Sequence, residues 1–336
     1  MKTFTPSPGF LSCLDSTEPR TSGMVRELLE CRAARKDGEI AADLLKQLVE
    51  RLCRVERELK AQHAQLIEDL RSAAVIQRAL LPTRLPDGAR SAVAWRFLPC
   101  ERVGGDSLNV LAPTPGRLCL YVLDICGHGV PAAMLAVSAA QVLRPGSLGW
   151  RESDGGSDTS SPAAVLAALD KAFPFERFER HLTACLAVLD EASGLLRYAS
   201  AGHPPPLLVR SGGDVEWLEA GGPVIGMGDL VPFEEGRCVL APGDRLVLYT
   251  DGITESEAPT GEPFGEERLG DFLRGNRELP IESLLDALLA ALRRFTGNAP
   301  PRDDTTILAM EYRGAPAEEP ANHHEPGEAP VTIVDS

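Results

Sequence analysis

Apolar and polar positions divide the chain into a helical region and a strand-rich region. Residues 24–81 favour Leu, Ala, Glu, Arg and Lys, with a break near Asp37 and a stop at Pro82. An apolar seam within this region advances by alternating steps of four and three residues, at Ala41, Leu45, Leu48, Leu52, Val55, Leu59, Gln62 and Leu66. This spacing predicts a helical linker that forms a dimeric coiled coil. The alternative is an amphipathic helix that packs on the domain that follows.

Beyond Pro82 the chain alternates short apolar runs with glycine and proline. The runs that read as strands are 91–98, 118–123, 182–189, 195–200, 206–209, 215–218, 237–240, 245–250 and 305–312. Helical periodicity appears at 131–143, 162–173, 266–273 and 281–295. Several strands are adjacent in sequence and the helices occur in blocks. The pattern therefore predicts an α+β fold of packed antiparallel sheets with helices on their outer faces.

The predicted organisation has four segments. Residues 1–23 mix Pro, Ser, Thr and Gly without periodicity and are expected to be disordered, and residues 24–81 form the helical linker. Residues 82–313 form the folded domain. Residues 314–336 carry five acidic residues and no Lys or Arg, so we expect a disordered acidic tail.

Composition and charge narrow the classes of function. The 336 residues include 49 acidic and 34 basic side chains, a net charge of −15, which disfavours nucleic acid and anionic membrane surfaces as partners. No apolar run approaches the roughly 18 residues of a membrane span, and no secretory signal is apparent, so we expect a cytoplasmic protein. The eight cysteines are scattered without zinc spacing, which favours reduced thiols.

Candidate chemistry lies in acidic residues at the ends of apolar runs or beside glycines. These are Asp106 in VGGD, Asp124 in VLDICGHG, Asp251 in YTDG, and Asp303 and Asp304 in RDDTT. Each of them alone could be an ordinary turn residue. Carboxylates that converge from separate segments repel one another unless a hard divalent cation neutralises them. The set therefore points to metal-assisted hydrolysis, with phosphate esters as the leading substrate class.

Eight motifs in order make a family resemblance. They are AAVIQRALLP, VGGD, DICGHGVPAA, YASAGHPPPLL, GGPVIGM, PGDRLVLYTDGITE, FGEERL and RDDTT, and they span about residues 73–312. This series resembles the SpoIIE-like branch of the PPM, or type-2C, metal-dependent protein serine/threonine phosphatases. The resemblance implies an α-β-β-α sandwich with two Mn²⁺ or Mg²⁺ ions at one edge of the sheets.

The resemblance also implies roles for individual residues. Asp124 matches the carboxylate that bridges both ions, and the main-chain carbonyl of Ile125 matches a ligand of the first ion. Asp251 and Asp303 match ligands of the second ion, while Asp106 matches an acidic residue near the first ion. Asp124 and Asp251 are the expected catalytic pair, and Asp304 is a weaker ligand candidate. In such enzymes a water between the ions attacks phosphorus without a covalent phosphoenzyme.

Other motif residues have two interpretations each. His128 could protonate the leaving group or orient its neighbours, and His203 is expected to close a turn rather than to act in catalysis. Cys126 is expected to be a buried thiol. Arg96 and Arg102 are candidates for holding the phosphate only by their position, so we expect phosphate recognition to depend mainly on the metal ions.

The resemblance implies partners as well. Family members commonly dephosphorylate a phosphoserine or phosphothreonine on an anti-sigma-factor antagonist, which releases a sigma factor by partner switching. We therefore expect a phosphorylated regulatory protein as substrate, an activating partner at the N-terminal helices, and a homodimer through the coiled coil. The alternatives are a non-catalytic scaffold with the phosphatase fold and a coiled-coil interaction protein.

Overall fold

The computed structural model describes residues 38–82, 90–144, 146–147, 161–228 and 231–314, with side chains from Lys46 onward in the first range. The N-terminal segment 1–23, the first part of the predicted linker up to residue 37, and residues 315–336 of the predicted tail lie outside the described residues. The chain divides into two compact units, whose boundary falls between Ala73 and Ala74.

A single long helix, α1, covers Gly38–Ala79 and contains 42 residues. It has no glycine or proline after its first residue, and pairs such as Lys60 with Glu56, 2.8 Å apart, support its exposed face. Five seam side chains of the first unit are each more than half exposed in the single chain: Leu48, Leu52, Val55, Leu59 and Leu66. The side chains of Ala41 and Leu45 lie outside the described residues. The coiled-coil dimer stays a prediction.

The second unit contains the strands and the remaining helices. The strands are β1 (Ser91–Leu98), β2 (Ser107–Leu111), β3 (Arg117–Ile125), β4 (Leu182–Asp190), β5 (Leu195–Ala201), β6 (Leu207–Val209), β7 (Val215–Trp217), β8 (Gly221–Gly222), β9 (Gly236–Val239), β10 (Arg245–Tyr249) and β11 (Thr305–Tyr312). The helices are α2 (Val130–Val142), α3 (Pro162–Ala172), α4 (Phe175–Phe178), α5 (Asp251–Thr254), α6 (Gly265–Gly275) and α7 (Ile281–Phe295).

These strands form two sheets. The first has the order β1-β11-β10-β6-β7, and all of its neighbouring strands are antiparallel. The second has the order β2-β3-β4-β5-β8, with β9 also paired to β5. Its only parallel pairing in the described residues is the short one between β5 and β8.

Alternating side chains of β3 show how the layers pack. Leu118, Leu120 and Val122 belong to a core shared with Leu246 and Leu308 of the first sheet. The intervening residues of β3 belong to a second core with α2 and α3, and a third core joins the first sheet to α6 and α7. Because both faces of β3 are covered, the strand reads as an almost continuous apolar run. The order helix, sheet, sheet, helix confirms the predicted fold class.

The structure differs from the sequence prediction at short elements. The strand β2 and the four-residue helices α4 and α5 were not predicted. In β2 a polar residue separates two buried ones, Leu108 and Val110, and the run is bounded by Gly-Gly-Asp and by proline, so its periodicity is too brief to recognise. This strand matters because Asp106 directly precedes it.

Candidate active site

One end of the two sheets gathers the predicted acidic residues. Asp124 lies near the end of β3, and β2 begins at Ser107, which is opposite Leu123 in the register. In the first sheet, β10 ends and β11 begins at the same place, with Tyr249 opposite Ile307. Asp251 follows β10 and Asp303 precedes β11. The antiparallel pairing thus brings distant chain segments to one edge.

Two threonines hold Asp106 in this edge. Thr250 Oγ1 donates a hydrogen bond to Asp106 Oδ2 at 2.9 Å, and Thr306 Oγ1 donates to the same oxygen. All three residues are buried. Asp106 leads into the second sheet, whereas Thr306 lies in the first and the Thr250 amide donates to its carbonyl at 3.0 Å. These hydrogen bonds join the two sheets beside the acidic residues.

The acidic side chains perturb one another's ionisation. Burial raises the pKa of Asp106 well above its usual value, and the Asp124 carboxylate raises it further. Burial together with the charges of Asp251 and Asp303 raises the pKa of Asp124 to about 7. The pKa of Asp251 is raised by burial first and by Asp303 second. Carboxylates from four chain segments are therefore close enough to repel one another.

Asp304 differs from these residues because its carboxylate accepts hydrogen bonds from backbone amides. Its Oδ1 accepts the Cys100 amide at 2.8 Å and its Oδ2 accepts the Gly105 amide at 2.6 Å. The side chain is buried. Asp304 therefore anchors the loop before β2 to the segment before β11, which is a structural role.

The loop before β2 also packs against the main chain of Ile125. A Cβ added to Gly105 would lie 2.8 Å from the Ile125 carbonyl oxygen, so only glycine fits at this position. On the other side of the loop, the buried Gln77 amide binds the Gly104 backbone twice: Gln77 Nε2 donates to the carbonyl at 2.7 Å, and the Gly104 amide donates to Gln77 Oε1 at 3.2 Å. The last turn of α1 thus contacts the loop that carries Asp106.

The two motif histidines have different environments. His128 is exposed, and its Nδ1 lies 2.8 Å from Glu101 Oε1. His203 is buried, and its Nδ1 lies 2.8 Å from the Thr183 hydroxyl. Thr183 is opposite Asp124 in the β3–β4 register. Burial lowers the pKa of His203 to about 4, so its imidazole is neutral near pH 7. Its contact with Thr183 places it on the strand that pairs with Asp124.

Two other predictions need correction. Cys126 is exposed rather than buried, because it follows the end of β3 where the chain turns away from the sheet. Arg96 forms ion pairs of 2.8 Å with Glu282 and with Asp286 of α7, so its charge is neutralised at the outer helix layer and is not available to a phosphate. Arg102 is exposed, and no described residue is recorded as its partner.

The donor chemistry of this edge fits a hard divalent cation. Carboxylate and carbonyl oxygens are the ligands that Mg²⁺ and Mn²⁺ prefer, and a cation would relieve the repulsion that raises these pKa values. Within the described ranges, no three Asp, Glu, His or Cys side chains form a complete metal-binding group. A main-chain carbonyl and waters would have to complete the coordination. The assignment of Asp106, Asp124, Ile125, Asp251 and Asp303 as metal ligands stays a prediction.

Sequence reasoning missed several residues that shape this edge. Thr250 and Thr306 adjoin predicted acidic residues, but nothing in their sequence context tells which carboxylate they contact. Gln77 lies within the AAVIQRALLP motif, but the motif does not indicate that its side chain binds the Gly104 backbone.

The layered fold and its acidic edge define the class of this protein, whose fold is that of PP2C-type phosphatase domains. The solved structure of the SiaA-PP2C domain of Pseudomonas aeruginosa is similar, with a TM-score of 0.64 and 28% identity over 75% of this chain and 99% of that one. The chain belongs to the SpoIIE family, because residues 114–313 match the family model of Stage II sporulation protein E (SpoIIE). The resemblance predicted from the motifs is confirmed.

Two curated relatives extend the comparison. Protein IcfG of Synechocystis sp. is 28% identical over 77% of this chain and 44% of its own length. Phosphoserine phosphatase RsbP of Bacillus subtilis is 28% identical over 63% of this chain and 50% of its own length. The chain thus spans about half the length of these relatives. In the part of the chain that the structure describes, no helix has the length and apolar character needed to cross a membrane.

Proposed function

We propose that this protein is a metal-dependent phosphoprotein phosphatase that removes phosphate from serine or threonine of a regulatory protein. The observation that carries the proposal is the convergence of Asp106, Asp124, Asp251 and Asp303 at one edge, close enough to raise one another's pKa values. An arrangement this unfavourable in the absence of a cation is typical of a site built for metal ions. SpoIIE-type phosphatases depend generally on Mg²⁺ or Mn²⁺.

The chain's own residues divide the work at this edge. Asp124, Asp251, Asp303 and the Ile125 carbonyl would hold two ions, with Asp106 beside the first. Bound ions of this kind supply an acidified water as nucleophile and offset charge on the phosphoryl oxygens. Thr250 and Thr306 fix the orientation of Asp106. Asp304 and Gln77 fix the loop that leads to it.

The proposed substrate is a phosphorylated anti-sigma-factor antagonist in a partner-switching system. Support comes from the family and from RsbP of Bacillus subtilis, whose name describes it as a phosphoserine phosphatase. The proposed place of action is the cytoplasm, and the free cysteines among the described residues are typical of a reducing compartment.

We also propose that the protein is a homodimer and that an activating partner binds its N-terminal helices. The exposed apolar seam from Leu48 to Leu66 supports dimerisation, since side chains at this spacing are normally covered by a second helix. The contact between Gln77 and Gly104 supports regulation, because a change in the last turn of α1 reaches the loop before Asp106 directly.

The test of the activity is hydrolysis of p-nitrophenyl phosphate and of a phosphothreonine peptide with Mn²⁺, with Mg²⁺ and with a chelator. Asp124→Asn and Asp251→Asn should each reduce the rate by at least about a hundredfold, because each removes a ligand charge from the site. The matched control is Asp271→Asn, which removes an exposed carboxylate whose ion-pair partner among the described residues is Arg274 on α6. It should keep the wild-type rate.

The outcome also separates the alternatives. Turnover that depends on metal and is lost in both site variants supports the phosphatase. The non-catalytic scaffold would be favoured if calorimetry detects metal binding but no substrate is hydrolysed, including a phosphorylated peptide from the antagonist protein. Turnover that persists in Asp251→Asn would contradict the assigned site.

A further inference from the structure

An arginine just before β4, outside the motifs quoted above, contacts the loop that follows Asp124. Arg180 is two residues before β4, whose first residue, Leu182, is opposite Ile125 in the register. The pairing continues past the end of β3, where the Cys126 amide donates to the His181 carbonyl at 3.0 Å. Arg180 Nη1 then donates to the Cys126 carbonyl at 2.7 Å. The guanidinium is therefore held next to the peptide whose neighbour is the Ile125 carbonyl.

Gly127 makes room for this guanidinium. Its φ of 92° lies in the left-handed region, and a Cβ added there would be 2.5 Å from Arg180 Nη1. Any other residue at this position would push the arginine off the backbone. The first glycine of the GHG motif thus leaves space for the guanidinium, which packs against the loop between Asp124 and His128.

Among the described residues, no carboxylate neutralises the charge of Arg180. Arg96 and Arg302, which also lie near the strands that lead to this edge, are both paired with carboxylates. Arg180 forms no ion pair with a described residue, and its recorded partner is a neutral carbonyl. A guanidinium has five N–H donors and always carries its charge. One donor suffices for the carbonyl, so the others can bind an anion beside the acidic edge.

We propose that Arg180 binds the phosphate of the substrate and is the residue that supplies a phosphate-holding cation to this site. The proposal rests on the proposed function, because it assigns the anion to a phosphoserine or phosphothreonine ester. Arginine pairs with phosphate through two parallel hydrogen bonds, which metal ions alone do not provide. The carbonyl of Cys126 holds the guanidinium in place before the substrate arrives, so less side-chain entropy is lost on binding.

The test compares wild type, Arg180→Gln and Arg180→Lys in the full chain. The matched control is Arg177→Gln, which removes an arginine three residues earlier that stacks on Phe178. The measurements are the KM for a phosphothreonine peptide, the inhibition constant of inorganic phosphate, and calorimetric titrations of inorganic phosphate and of Mg²⁺. A thermal melt of each variant reports folding.

Arg180→Gln should raise both the KM and the inhibition constant of phosphate by about tenfold to a hundredfold, the effect of losing a charge-assisted hydrogen bond to an anion. Arg180→Lys should recover part of this loss because it keeps the charge but not the two-point geometry. Mg²⁺ affinity and the melting temperature should stay at wild-type values, and Arg177→Gln should have no effect.

Two results would overturn the proposal. Unchanged phosphate inhibition in Arg180→Gln would show that the arginine does not contact phosphate. An equal loss of phosphate and Mg²⁺ affinity would make it a residue that only holds the Cys126 carbonyl. If wild type shows no turnover, the proposed function fails. The calorimetric titration of phosphate into wild type and Arg180→Gln still decides the role of the arginine.

Discussion

Replacing Gln77 with methionine isolates the contact between α1 and the loop before Asp106. Methionine has a similar length but no donor or acceptor of comparable strength, so both hydrogen bonds to Gly104 are lost. Gly104 is buried, and each unpaired buried backbone group costs about 1–3 kcal/mol. Better burial of the apolar side chain offsets part of this. We expect the free energy of unfolding of the second unit to fall by about 2–4 kcal/mol.

Urea unfolding measures this loss, and Gln65→Met is the matched control. Gln65 lies on the same helix and is exposed, and its side chain donates to Asp69 Oδ1 at 2.9 Å as its one hydrogen bond within the described residues. Its replacement should therefore cost less than about 0.5 kcal/mol. Equal unfolding midpoints for the Gln77 and Gln65 variants would refute the reasoning that the amide holds the loop.

A second measurement asks whether the contact reaches the acidic edge. The Gly105 amide donates to Asp304, so hydrogen exchange of residues 103–106 should become faster in Gln77→Met. The Mg²⁺ concentration for half-saturation should rise as well, because Asp106 follows this loop. Lower stability with unchanged exchange and unchanged metal affinity would reduce Gln77 to a packing residue.

The remaining predictions concern the helix seam and a buried histidine. In light scattering, Leu52→Asp should convert the proposed dimer into a monomer, because it places a charge in the exposed apolar seam. Arg54→Asp lies off the seam and should stay dimeric, and a dimer in both variants would contradict the coiled coil. The pKa of His203 is lowered to about 4, so the unfolded chain binds the extra proton below pH 6.5, and unfolding becomes easier as the pH falls from 6.5 to 4. Between pH 7 and pH 5 the wild type should lose about 2 kcal/mol through this residue. His203→Gln should lose that much less in urea titrations at the two pH values, and the same loss in both proteins would show that the imidazole is not held neutral.

The long regular elements could be predicted from sequence because their periodicity extends over several turns or strand repeats. The ranges 91–98, 281–295 and 305–312 agree with the observed elements at both ends. The short strand β2 could not be recognised, since only two of its side chains are buried by the fold. Its identity as a strand comes from pairing with β3, which is a tertiary interaction.

In the candidate site, too, local sequence indicates some residues and only tertiary contacts define the others. Asp124 and Asp251 could be chosen because strand ends and glycines mark their positions along the chain. The partners of Asp304 could not, because Cys100 and Gly105 are about two hundred residues away and contact it through backbone amides that every residue has. Arg180 carries no motif at all. Its proposed role follows from its contacts with Gly127 and the Cys126 carbonyl, which only the folded backbone defines.

The position of β11 has a consequence for synthesis of the protein. This strand lies between β1 and β10 in the first sheet, and Asp303 and Asp304 directly precede it, yet it is the last strand along the described chain. A ribosome releases β1 about two hundred residues before the partner with which β1 pairs, so this sheet cannot close until residues 305–312 have been synthesised. The acidic edge is completed by the same event. Chains that end before residue 305 would therefore lack a central strand of this sheet, and we expect them to lack the proposed phosphatase activity.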